Sequence, residues 1–243
     1  MTLASAQYQT ILSRGMSAGN VDLWFGDSWP IGTELGTLES LKSIDKNIYP
    51  YARLGDDPTL AFSHHVSAFR RHEILNLARG GSSLDFALYN LMSFCRNKHN
   101  PDIKYTAFLC LSEQGRAFGI SGLLNKHFHF TAGRKSKFDL YMYDSIIALN
   151  SFYLICKNYN IELKILPVFS NFTFPVSLNH INFIEESDWI CKESITYLTF
   201  GEHMRNANGE VDFDKDWIKP NKQHANAAGH KLIADKIINL LTT

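Results

Sequence analysis

The chain has 243 residues, and its 24 Lys and Arg balance 24 Asp and Glu, so the formal charge is zero with histidine neutral. Hydrophobic residues make up 45% and mean hydropathy is −0.16, enough for a proper core, which excludes an intrinsically disordered chain and a multi-span membrane protein. The charge balance argues against nucleic acid or an acidic lipid surface as the main partner, because both demand a net basic face. Cys95, Cys110, Cys156 and Cys191 stand far apart with no C-x-x-C pair, and are expected as reduced, mostly buried thiols of an intracellular protein. The first 20 residues show no charged segment leading into an apolar run, so no signal peptide and a cytoplasmic location are expected. No run of about 18 apolar residues exists to span a bilayer.

In chain order, residues 1–20 are small and polar and are expected to form an N-terminal arm, ahead of a single domain over 21–243. Val21 to Gly26 is a short buried strand that runs into the turn Asp27-Ser28-Trp29-Pro30-Ile31-Gly32. Residues 36–56 look like an irregular loop of the size that often builds a site. Asp57-Pro58 predicts a helix start, Asp as N-cap and Pro at the first helical position, with the helix running through Arg70. A second strand, Glu73 to Ala78, ends in Arg79-Gly80-Gly81-Ser82-Ser83 and is followed by a helix over Leu84–Lys98. The third strand, Tyr105 to Leu111, is apolar on both faces, as inside a parallel sheet. A polar, Gly-containing insertion over 112–138 holds Lys126-His127-Phe128-His129-Phe130, and a long helix follows over about Leu140–Tyr159. Ile161 to Phe169 is the fourth strand, and Ile195 to Phe200 is a candidate short fifth. The last helix starts from an Asn226 N-cap. Strands alternating with helices predict a three-layer αβα domain around a flavodoxin-like sheet of about five parallel strands.

Three segments carry candidate chemistry. Gly26-Asp27-Ser28 lies at the carboxyl end of the first strand, where α/β sheets place ligands, although the tripeptide alone is also an ordinary turn. Asn76 to Ser83 sets glycines at the end of the second strand, where backbone N–H groups can approach a bound group. The spacing is neither a G-x-G-x-x-G nucleotide fingerprint nor a phosphate loop. His224 precedes the last helix, where a base could reach back to the sheet edge, and His230 falls within that helix as a packing or surface histidine.

In this order and position the three segments resemble the blocks of the SGNH (GDSL-type) esterase/lipase family. The resemblance is one of topology over about residues 21–241, with short specific motifs; a fainter one points to SGNH-like proteins of tailed bacteriophages, which would put the protein in the host cytoplasm. It implies an acyl hydrolase with Ser28 as nucleophile, His224 as base, and the backbone N–H groups of Ser28 and Gly81 in the oxyanion hole. It implies no cofactor and no metal, and a small-molecule or carbohydrate ester as partner, with an O-acetyl carbohydrate as the family default.

Two positions depart from the family pattern. Asn221 stands where the family has its acid, three residues before the histidine; an Asn carbonyl can orient the imidazole, or Asp214 or Asp216 can fold in as the acid. The third block lacks its Asn in Leu111-Ser112-Glu113-Gln114-Gly115-Arg116, which leaves Gln114 or Arg116 as the third oxyanion donor. The competing expectation is a binding or virion-associated protein on an SGNH scaffold that has lost turnover. Other candidates are weaker. His127-x-His129 lacks a supporting ligand and suits a plain strand; Lys219 and Lys222 are common surface residues; Trp24, Trp29, Tyr49 and Tyr51 are either core or the lining of a sugar cleft.

Overall fold

The computed structural model describes residues 19–33, 35–36, 42–53, 56–111, 117–120, 127–130, 135–168, 183–200 and 224–243. Along these residues the order is β1 (Asn20–Phe25), α1 (Phe62–Arg70), β2 (Glu73–Asn76), α2 (Leu84–Asn97), β3 (Lys104–Leu111), β4 (Ala117–Ile120), β5 (His127–Phe130), α3 (Lys135–Asn158), β6 (Ile161–Pro167), α4 (Ile195–Phe200) and α5 (Ala227–Thr242). Strands β1, β2, β3 and β6 form one parallel sheet in the order β2-β1-β3-β6. Leu23 on β1 lies opposite Leu75 of β2 on one side and Ala107 of β3 on the other.

The period-two alternation of β1 builds two cores. Val21, Leu23 and Phe25 enter one, with Leu91 and Phe94 of α2 and Leu149 and Phe152 of α3. Trp24 enters the other, with Phe62 and Val66 of α1 and Ile233 and Ile237 of α5. Trp24 stacks on Phe108 at 4.2 Å between centroids and donates its indole N–H to Ser67 Oγ at 2.9 Å. Each side chain buried as fully as Leu23, Phe25 or Phe152 contributes about 2 kcal/mol. The result is the expected αβα arrangement, with a strand order that begins as the flavodoxin-like one does. Helix α1 covers one face on the way from β1 to β2, and α2 covers the opposite face on the way back to β3. The direction of winding therefore reverses beside β1, and the crevice outside the carboxyl ends of β1 and β3 is the natural ligand position.

Three expectations are corrected. Residues 195–200 are not a fifth strand but helix α4, so the parallel sheet has four strands among the described residues. The β-branched and aromatic run is overruled by its anchor: the hydroxyls of Ser194 and Thr196 both donate to the Val168 carbonyl at 2.7 Å, and Ser194 Oγ accepts the Tyr197 N–H at 3.3 Å, as an N-cap does. Asp57 does not cap a helix. Its side chain accepts the Thr59 N–H and hydroxyl in a local turn, and α1 begins only at Phe62 after Ala61. The second strand stops at Asn76 because Ala78 N–H turns back to the Asn76 side chain. The insertion after β3 contains an antiparallel pair, β4 with β5, whose register sets Phe118 opposite His129 and Ile120 opposite His127 along the backbone. Asn226 does cap α5, accepting the Gly229 N–H at 3.0 Å. The expected arm over residues 1–18 lies outside the described residues.

Candidate active site

The chain leaves β1 at Gly26 with φ +142°, a conformation closed to most side chains. A Cβ there would stand 2.8 Å from both the Cβ and the carbonyl oxygen of Cys110 on β3, so the strand end requires glycine. Asp27 is fully buried and accepts the Trp29 N–H through Oδ1 at 3.2 Å. The N–H of Gly32 returns to the Trp29 carbonyl and that of Thr33 to the Ser28 carbonyl, at 3.1 and 3.0 Å. This tight loop presents Ser28 at the carboxyl edge of the sheet with 9% of its surface exposed.

The loop after β2 is sewn to it. Asn76 is fully buried; its Nδ2 donates to the Pro30 carbonyl at 2.6 Å and to Ser63 Oγ at 3.1 Å. Arg79 N–H and Ser82 Oγ both donate to the Gly26 carbonyl, at 3.1 and 2.6 Å. Ser82 N–H bonds the Arg79 carbonyl at 3.0 Å and Gly81 has φ +73°, which together define a type II turn with Gly80 and Gly81 at its centre. Gly80 packs against the Ser28 loop: a Cβ there would lie 4.0 Å from Ser28 Cβ. Among the described residues, neither the Ser28 N–H nor the Gly81 N–H donates to a backbone carbonyl.

His224 completes the cluster from the far end of the chain. Its Nε2 lies 2.7 Å from Ser28 Oγ, and its ring packs beside Trp29 at 5.9 Å between centroids. The capped start of α5 two residues later fixes the backbone at that point. With Nε2 unprotonated, the imidazole can take the hydroxyl proton as an oxygen nucleophile forms, which is the arrangement of general-base activation. His230 plays another part. It is fully buried, its Nδ1 accepts the Phe62 N–H at 3.2 Å, and its ring stacks on Phe62 at 5.6 Å. Burial, and then the neighbouring His224 and His65, push its pKa down to about 3, so it is a neutral packing group.

The structure thus brings Ser28, the Gly80–Gly81 turn and His224 together. Gln114, Arg116, Asn221, Asp214, Asp216, Lys219 and Lys222 lie outside the described residues. Trp24, Trp29 and Tyr49 are buried, which removes them as an open sugar-binding face, while Tyr51 is half-buried with its hydroxyl donating to Asn90 Oδ1 at 2.8 Å. Sequence reasoning missed Arg53, whose Nη2 donates to the Gly80 carbonyl at 2.9 Å. The nearest signal was its place in the irregular loop before α1, which names no partner.

No family profile and no curated protein sequence matches the chain. Similar solved structures include a carbohydrate esterase whose active site is described as displaying divergent catalytic and non-catalytic binding functions. It has 12% identity and a TM-score of 0.49, over 95% of this chain and 70% of that one. Another is the psychrotrophic esterase EstA from Pseudoalteromonas sp., at 12% identity and a TM-score of 0.45, over 92% of this chain and 97% of that one. Both of these structural neighbours are described as esterases.

Proposed function

We propose that the protein is a serine ester hydrolase of the SGNH type, with Ser28 as nucleophile and His224 as base. The observation that carries this is the 2.7 Å contact between Ser28 Oγ and His224 Nε2 at the carboxyl edge of a parallel sheet. Ser28 Oγ attacks the ester carbonyl while His224 takes its proton, and the N–H groups of Ser28 and Gly81 receive the oxyanion, with Gln114 as the third donor. His224 returns the proton to the leaving alcohol, and water then hydrolyses the acyl-serine with His224 again as base. Asn221 orients the ring through its side-chain carbonyl, or Asp214 or Asp216 does so as a carboxylate. The substrate is a small O-acyl ester, with an O-acetyl carbohydrate as the leading class.

A fluorophosphonate probe tests the proposal. It should label Ser28 stoichiometrically, lose all labelling in Ser28→Ala, and label His224→Ala at a rate lower by at least about 10². A folded wild-type chain that stays unlabelled overturns the esterase and leaves the binding scaffold. In the same assay Asn221→Asp should speed labelling if Asn221 is the orienting group. If an aspartate already serves, the matching Asp214→Ala or Asp216→Ala change should cripple it.

A further inference from the structure

We propose that Arg53 is a positioning residue of this site, one whose guanidinium fixes the Gly80–Gly81 peptide and with it the direction of the Gly81 N–H. The inference rests on the esterase assignment above and adds a residue to it. Two glycines at the centre of a four-residue turn leave its middle peptide free to flip between the type I and type II forms, since neither carries a side chain to bias the choice. The flip reverses both polar groups of that peptide. In a trans peptide the Gly80 C=O and the Gly81 N–H leave opposite edges of one plane, so a group that grips the first sets the second. Arg53 Nη2 grips it at 2.9 Å, from 27 residues away in sequence.

The grip is itself anchored to the loop that carries the nucleophile. Arg53 N–H donates to Asp56 Oδ2 at 2.8 Å, and Asp56 N–H returns to the Arg53 carbonyl at 3.0 Å. Asp56 is 4% exposed and pairs in an antiparallel bridge with Thr33, five residues after Ser28. Ser28, Thr33, Asp56, Arg53 and Gly80 therefore form a closed circuit, and a Cβ at Gly80 would stand 3.9 Å from Arg53 Nη2 and 4.0 Å from Ser28 Cβ. A cationic donor on the carbonyl also draws electron density through the amide and strengthens its N–H as a donor. Because the Arg53 side chain lies at the surface, the bond adds little to folding stability, and its contribution falls on the geometry of the turn.

The experiment compares wild type, Arg53→Met, which keeps the stem and loses every donor, and Arg53→Lys, which keeps one donor. Hydrolysis of a small neutral acetate ester and the fluorophosphonate labelling rate are read beside the melting temperature. Arg53→Met should lower kcat and the labelling rate by roughly tenfold, less than outright loss of an oxyanion donor, with KM within about twofold and an unchanged melting temperature. Arg53→Lys should recover part of the loss. Unchanged rates in both variants, or a loss carried wholly by KM, overturn the proposal, the latter by making Arg53 a substrate contact. A loss that follows the melting temperature also overturns it, by making Arg53 a stabilising residue only. A wild type in which Ser28 is never labelled brings down the esterase assignment and this proposal with it; a labelled wild type matched by Arg53→Met brings down this proposal alone.

Discussion

Both ends of β1 carry polar groups out of water, and they treat them differently. At the amino end Asp22 is 0% exposed, with Oδ1 2.8 Å from His72 Nδ1 and Oδ2 3.2 Å from Arg70 Nε. Arg70 Nη2 goes on to donate to Thr106 Oγ1 at 3.0 Å, which donates to Glu162 Oε2 at 3.1 Å. That network sets its charges against one another, Asp22 Oδ2 and Arg70 Nε meeting as an ion pair without a hydrogen bond. At the carboxyl end Ser28 meets one basic nitrogen at 2.7 Å, while its N–H and that of Gly81 are not spent on any backbone carbonyl among the described residues. Buried polarity paired charge against charge holds a fold together; buried polarity aimed at one crevice from two loops is fit to act on something else.

The contrast can be broken from either end. Asp22→Ala should cost about 3 kcal/mol in urea denaturation, the low end for a broken buried pair because Arg70 keeps 20% of its side chain in solvent. Ester hydrolysis per folded molecule should survive it. Ser28→Ala should do the opposite, removing hydrolysis while moving stability by less than about 1 kcal/mol. Equal stability losses would erase the distinction.

The histidine pair of the last block sharpens the comparison through pH. His230 is held neutral, with its pKa pushed down to about 3 by burial, whereas an unfolded chain takes up that proton near 6.5. Below pH 6.5 the unfolded state binds a proton that the folded state refuses. Stability should therefore fall by about 1.4 kcal/mol per pH unit from this group as the pH drops towards 3, with no effect above 6.5. His230→Asn, which keeps an acceptor for the Phe62 N–H, should flatten that acid limb in pH-dependent denaturation. An unchanged slope would show that another group causes it. The smallest expected effect is that of Asn226→Ala, which removes the cap of α5 and should cost about 1 kcal/mol. A loss well above 2 kcal/mol would mean that Asn226 does more than cap.

Much of the scaffold was legible in the sequence because the signals were local. The apolar runs of β1, β3 and β6 and the Asn226 cap each depend on a few neighbouring residues. Gly26 was legible only as a turn residue at a strand end; that a Cβ there would meet Cys110 of β3 depends on a distant partner. What was not legible depended on distant partners. Ile195 to Phe200 has the composition of a strand, and only the Val168 carbonyl, accepting from Ser194 and Thr196, makes the segment a helix; the Ser194 cap was the one local hint. Asp57 before Pro58 looks like a helix start until Gly32 accepts its backbone N–H and Thr59 occupies its side chain. In the site, Ser28 and His224 were legible as ends of elements, but Arg53 was not, since nothing within its own segment marks a residue whose partner is Gly80.

Ser28 and His224 stand 196 positions apart, and only the finished sheet brings them to 2.7 Å. During synthesis Ser28 emerges from the ribosome long before His224, and α5 must seat against α1 before the pair can meet. Until α5 is seated, Ser28 lacks its contact with His224. Hydrolysis of the proposed kind would switch on with the docking of α5, so its appearance in a refolding or translation time course would date that docking.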